Sequence, residues 1–204
     1  MVEHSVLPSK EIIGWRLAVG EAFPTLDTDE IMVFTHFFYS GFALPTSDFF
    51  RCLLEFYGIN IYHLNPNSIL HISVFIHLCE AFLGIQPHFI LFHCIFFLKL
   101  QPNKRNPCLV GGSGLQLRGS LSKKYFNLPF KSSNKGWHSI WFYIHNPSPS
   151  LPEYSCTPPV YNEIWSSLPM GDELSQANTL LEKMLKIKEQ GLQREQVTWH
   201  FIKC

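Results

Sequence analysis

The chain has 204 residues, with 16 basic and 16 acidic side chains and no formal net charge, a length that suffices for one sizeable domain with a tail. Hydrophobic residues make up 46%, aromatics 15% and charges only 16%, which excludes disorder throughout, because a disordered chain is poor in aromatics and high in net charge. Six cysteines are too sparse for a disulfide scaffold, and twelve glycines without a period of three exclude a collagen-like chain.

Residues 1–30 read as an irregular, acidic lead-in. Their start, MVEHSVLPSKEIIGW, has neither a basic opening nor an apolar run of seven residues. No signal peptide is expected, the expected location is nuclear or cytoplasmic, and the cysteines are expected to be free thiols. Residues 31–39, IMVFTHFFY, are a dense apolar run that suits either a short buried helix or a strand, ended by Gly41. Residues 46–57 read as a helix with Thr46 or Ser47 as N-cap, an apolar face of Phe49, Phe50, Leu53, Leu54 and Tyr57, and Gly58 as its left-handed stop.

A second helix is predicted over 67–83, with Asn67 after Pro66 as its N-cap candidate and Gly84 as its end. It is apolar nearly all round, so it is buried, and only Ser73, His77 and Glu80 form a polar stripe. A third helix is predicted from Pro87 to about Leu100. Residues 81–98 hold no charged side chain, and eighteen such positions sit at the lower edge for a membrane span. Gly84, Gln86, Pro87, His88 and His93 interrupt them, so a buried segment is expected and a membrane is not.

Beyond Pro102 the character changes. Gly111, Gly112 and Gly114 punctuate a loop, 114–117 and 124–128 read as short strands, and 137–145, WHSIWFYIH, reads as a buried strand. Residues 147–170 read as a Pro-rich linker, since six of the fourteen prolines fall within 146–170. A helical tail, 171–204, follows. In it Leu174, Ala177, Leu181, Met184, Leu185 and Lys188 have coiled-coil-like spacing over 172–190, Gly191 stops the helix, and 194–203 read as a short last helix. The predicted fold class is α+β: a mainly helical N-terminal half with a small antiparallel sheet over 31–146, then the linker and the C-terminal helix.

Charge is segregated along this neutral chain. Residues 1–80 carry nine acids and three bases, and 153–204 carry seven acids and five bases. Between them, 81–152 carry Lys99, Lys104, Arg105, Arg118, Lys123, Lys124, Lys131 and Lys135 and no acid. A block of that kind faces an acidic partner such as nucleic acid, faces the chain's own acidic first third, or solvates loops. Over 123–143 the bases interleave with Tyr125, Phe126, Trp137, Trp141 and Tyr143, the two ingredients of single-strand binding. The same rings could instead be core.

Chemistry-bearing patterns are sparse. His77 and Glu80 share a helix face, a spacing open to acid–base work and equally to mutual satisfaction. No C-x-x-C occurs, the cysteine separations are 27, 15, 14, 48 and 48, and neither H-E-x-x-H nor an H-x-x-x-H pair is present, so no metal site is expected. GLQLRGS at 114–120 has the frame of a phosphate loop without its lysine. No G-x-S-x-G elbow and no G-x-G-x-x-G follows a strand. No cofactor and no small-molecule substrate is evident.

Several stretches carry a resemblance. GFALPTSDFFRCLLEFYGINIYHLNPNSILHISVFIHLCEAFLGIQPHF is similar to the gypsy-type transposon domain of plant genomes, with PNSILHI, LCEAFLGI and PHF its most specific parts. LPFKSSNKGWHSIWFYIHN resembles that family's later block, and ELSQANTLLEKMLKIKEQGL resembles the segment that follows the domain, so the likeness spans roughly 34–200. The resemblance implies an origin linked to long-terminal-repeat retroelements and brings no catalytic residue with it. The retroelement enzymes leave no trace of their own: there is no D-[ST]-G, no Asp-Asp and no C-x-x-C-x-x-x-x-H-x-x-x-x-C. The chain stops sooner after the tail helix than fuller members do, which suggests a truncated or decayed copy.

The expectation is therefore a non-catalytic, retrotransposon-derived protein that binds nucleic acid or an acidic partner through Lys99, Lys104, Arg105, Arg118, Lys123, Lys124, Lys131, Lys135 and Trp137. The alternatives are a module that self-associates through 172–190 and a decayed copy with no selected function.

Overall fold

The apolar run IMVFTHFFY divides between two elements. In the computed structural model, which describes residues 13–21, 24–27, 29–101, 108–119, 125–126, 136–146, 148, 150–193, 195–197 and 201, strand β2 spans Glu30–Phe34 and helix α1 follows at once as Thr35–Tyr39. Both forms suited to this run thus occur in succession. Gly41, at a φ of 92°, ends it in backbone that a side chain would strain. β2 lies antiparallel to β5, Trp141–His145, and β5 pairs on its other side with β1, Trp15–Leu17, giving the order β1–β5–β2. The register sets Val33 opposite Phe142 and Trp15 opposite Ile144. Phe142, Tyr143 and Ile144 are all buried in succession, so both faces of the central strand are covered.

Helix α2, Asp48–Tyr57, starts as its sequence dictates: the Ser47 hydroxyl accepts from the Phe50 amide at 3.3 Å, and Gly58 closes the end in the left-handed region. Helix α3, Pro66–His77, takes Asn65 as its N-cap rather than Asn67, with Asn65 Oδ1 accepting from the Ser68 amide at 2.9 Å. The reason is Pro66. Without an amide hydrogen it fits the first helical position, so the cap must precede it. The helix runs on as a π-turn, Leu78–Leu83, up to Gly84. By length and composition Pro66–Leu83 could cross a membrane, and half of it is buried in the fold.

The helix expected from Pro87 to Leu100 is corrected by the structure. Helix α4 covers only Phe89–Ile95, and the chain enters strand β3 at Phe96–Leu100. β3 pairs antiparallel with β4, Ser113–Leu117, with Leu98 opposite Leu115. An unbroken apolar run satisfies either period, and the ladder to a partner strand decides between them. The charge-free stretch 81–98 is thereby spread over the π-turn, a loop, α4 and β3. Of the strand expected over 124–128, Tyr125 and Phe126 lie outside any strand, and the other positions fall outside the described residues. At 137–145 a 3-10 turn, Trp137–Ser139, precedes β5.

Of the Pro-rich stretch 147–170, the described residues 150–170 have little regular structure beyond a 3-10 turn at Glu163–Trp165, and they lie against the core as a strap. Leu151 and Trp165 are its buried anchors. Asn60 Nδ2 donates to the Glu153 carbonyl at 2.6 Å, and the Ser155 amide donates to Tyr62 Oη at 3.1 Å. His63 accepts from the Asn60 amide through Nδ1 at 3.1 Å, so its Nε2–H donates to the Thr157 carbonyl at 2.9 Å.

Helix α5, Gly171–Glu189, buries Ala177, Leu181 and Met184, and it packs on α4. The stripe with coiled-coil-like spacing is thus occupied within the chain. Residues 195–197 and 201 are helical, and the rest of 194–203 lies outside the described residues. Cys52, Cys79, Cys94, Cys108 and Cys156 are free thiols.

Candidate functional site

Three of the nine residues singled out for nucleic acid are among those described, and they fare differently. Lys99 stands exposed on β3, opposite Gly114. Arg118 follows β4 immediately and is half-buried. Its Nε donates to the His93 carbonyl at 3.0 Å, while Nη1 and Nη2 donate to the carbonyls of Ser166 and Ser167 at 2.9 and 2.6 Å. The guanidinium also lies 5.6 Å from the Phe97 ring centroid, and burial lowers its pKa. Arg118 therefore ties β4 and α4 to the strap, and all three of its nitrogens already have acceptors.

Trp137 is half-buried. Its ring stacks on Phe37 at 5.6 Å and meets Phe34 edge-on at 4.9 Å. Gly111 lies under the indole, where a Cβ would come 2.8 Å from Trp137 Cζ2. Tyr125, Phe126 and Tyr143 are buried. Most rings of the basic and aromatic interleave thus belong to the core, which leaves the bases as the part that can reach a ligand. Lys104, Arg105, Lys123, Lys124, Lys131 and Lys135 lie outside the described residues.

Four acids of the first third, Glu21, Asp27, Glu30 and Asp48, are engaged elsewhere. Arg16 donates to both oxygens of Glu30 at 2.9 and 2.7 Å and lies 3.5 Å from Glu21 and 3.9 Å from Asp27. The Tyr143 hydroxyl donates to Glu21, and the Arg16 guanidinium covers the Tyr143 ring at 3.9 Å. The hydrogen bond from Tyr143 lowers the pKa of Glu21, and the one from Arg16 lowers that of Glu30. Asp48 pairs with Arg51. Among the described residues, neither Lys99 nor Arg118 forms an ion pair with an acid. The same residues include no group of three or more His, Cys, Asp or Glu placed to hold a metal.

The polar stripe of α3 lines a cavity of about 370 Å³. Ser73, His77 and Glu80 face it together with Thr46 and Ser47, and its apolar wall includes Phe42, Phe50, Ile72, Ile76 and Phe201. Ser73 Oγ donates back to the Ile69 carbonyl at 3.0 Å, so its proton is not turned toward His77. His77 stands against Phe201 with ring centroids 5.7 Å apart. The stripe was legible in the helix periodicity. Phe201 was not, because it arrives from more than a hundred residues downstream.

Residues 31–100 match the family described as "Putative gypsy type transposon". That span runs from β2 through β3, and so includes α3, the π-turn and Lys99. The later stretches that resemble the family, at 128–146 and 173–192, lie beyond the matched span. No curated protein and no solved structure matches the chain.

Proposed function

We propose that this chain, which carries a gypsy-type transposon domain over residues 31–100, is a non-catalytic, retroelement-derived protein that binds nucleic acid through its acid-free block. The observation that carries this reading is the segregation of charge along the chain. Eight bases and no acid occupy 81–152, and among the described acids of the first third Glu21, Asp27 and Glu30 are paired with Arg16 and Asp48 with Arg51. Self-complementarity, the competing use of the block, would need those acids. A flexible polyanion suits a run of bases with no acid among them, since each neutralised phosphate releases a counterion.

The contacts fall to Lys99, Lys104, Arg105 and the lysines of 123–135, with Arg118 left to its carbonyls. The test is a titration of the full chain with a fluorescent single-stranded oligonucleotide at several salt concentrations. The expected affinity falls linearly on a logarithmic salt axis. An affinity indifferent to salt, or no binding, counts against the reading. Failure with the oligonucleotide alongside salt-dependent binding to polyglutamate would redirect it to an acidic protein partner.

A further inference from the structure

We propose that the cavity between the α1–α2 loop and α3 is a binding site for a small apolar amine, with Glu80 as its counter-charge. The cavity, about 370 Å³, falls in the size range of small-molecule sites. Its wall suits an apolar body: Phe42 and Phe50 are themselves buried, with ring centroids 5.6 Å apart, and Ile72 and Ile76 lie beside them. Its polar side decides the charge of the ligand. Among the described residues, Glu80 is the only carboxylate in the lining, no lysine or arginine joins it there, and it forms no ion pair.

A carboxylate ligand would be repelled by Glu80, and a wholly apolar one would gain nothing from it. An ammonium gains a charge-assisted hydrogen bond, and the aromatic wall favours a cation over its ring faces. The hydroxyls of Thr46, Ser47 and Ser73 offer acceptors for its two remaining hydrogens. The backbone is adapted to the opening. Glu80 sits in the π-turn Leu78–Leu83, a widened winding that recurs at functional sites. Gly41 lets the α1–α2 loop approach α3 closely at the edge of the cavity, where a Cβ would come 2.8 Å from Ser73 Cβ. This site is separate from the basic block, and its success or failure leaves the nucleic-acid reading untouched.

Calorimetric titration of the full chain with phenethylamine, benzyl alcohol and phenylacetate tests it, together with the variants Glu80→Gln and Ile76→Trp. Saturable binding of phenethylamine is expected to exceed that of the other two. It should weaken about tenfold in Glu80→Gln, the scale of one charged hydrogen bond, and vanish in Ile76→Trp, which fills the cavity. Glu80 is exposed, so its variant keeps the fold and carries the test even if Ile76→Trp does not fold. No saturable binding, equal affinity for phenylacetate, or a Glu80→Gln chain that binds phenethylamine as the parent does would overturn the proposal.

Discussion

The indole of Trp165 donates to the carbonyl of Tyr57 at 2.8 Å, across 108 positions of sequence. Tyr57 is the last residue of α2, so its carbonyl lacks an intrahelical partner. The strap thus caps the helix from outside, with a side chain that is fully buried. Trp165→Phe keeps much of the packing and loses the donor. It should lower stability by about 1–3 kcal/mol, the cost of one buried unsatisfied acceptor. Trp165→Ala should cost about 3–5 kcal/mol. Urea unfolding at an unchanged m-value would measure both. A neutral Trp165→Ala would mean that the strap is not docked.

Stability should fall with acid. Burial lowers the pKa of His71 to about 3 and that of His93 to about 4, and it lowers that of His63 as well. A histidine depressed in the folded state binds its proton first in the unfolded chain. Its effect is therefore absent above the ordinary imidazole value near 6.5 and grows as pH falls below it. For His71 the loss is roughly 1.4 kcal/mol per pH unit until its folded value is reached. Protonating His63 also removes the Nδ1 lone pair that accepts from Asn60. Denaturation midpoints followed from pH 8 to pH 5 should decline below 6.5, and His71→Phe should flatten the decline. A flat profile would mean that these rings stay open to solvent.

Arg118 and Lys99 should separate in their effects. Lysine at 118 keeps the charge but cannot reach three carbonyls in a fork. Arg118→Lys should lower stability by about 1–2 kcal/mol and leave the salt slope of oligonucleotide binding unchanged. Lys99→Gln should leave stability unchanged and make the slope shallower. Denaturation and binding measured on the same two variants decide the assignment, and the opposite pattern would make Arg118 the ligand contact.

Much of the local structure could be read from the sequence, because it is specified locally. Ser47, Gly58 and Gly84 mark helix ends through side-chain and backbone chemistry that needs no distant partner. The cap of α3 is displaced by two residues because Pro66 takes the first helical position. The α4–β3 junction could not be read, since Phe96–Leu100 becomes a strand only through its ladder with Ser113–Leu117. The strap reads as a linker because prolines dominate its composition, while its contacts come from Asn60, Tyr62 and His63. The candidate site is partly legible for the same reason. An acid-free block is visible in composition, but the acceptors of Arg118 belong to residues 93, 166 and 167, and no periodicity reveals them.

The tail helix should behave as part of the folded unit. Leu181→Ala removes a buried side chain from its inner face and should cost about 2–4 kcal/mol at an unchanged elution volume in size-exclusion chromatography. A shift to a smaller assembly without loss of stability would instead make that face an interface between copies.

The basic block is tested by the salt dependence of a single variant, Lys123→Gln/Lys124→Gln/Lys131→Gln/Lys135→Gln, measured on a single-stranded oligonucleotide beside the parent chain. If these lysines meet phosphates, the slope of log affinity against log salt should become shallower by about 0.7 for each contact removed, with the thermal midpoint unchanged. An identical slope in the two chains would contradict the assignment of this block to nucleic acid.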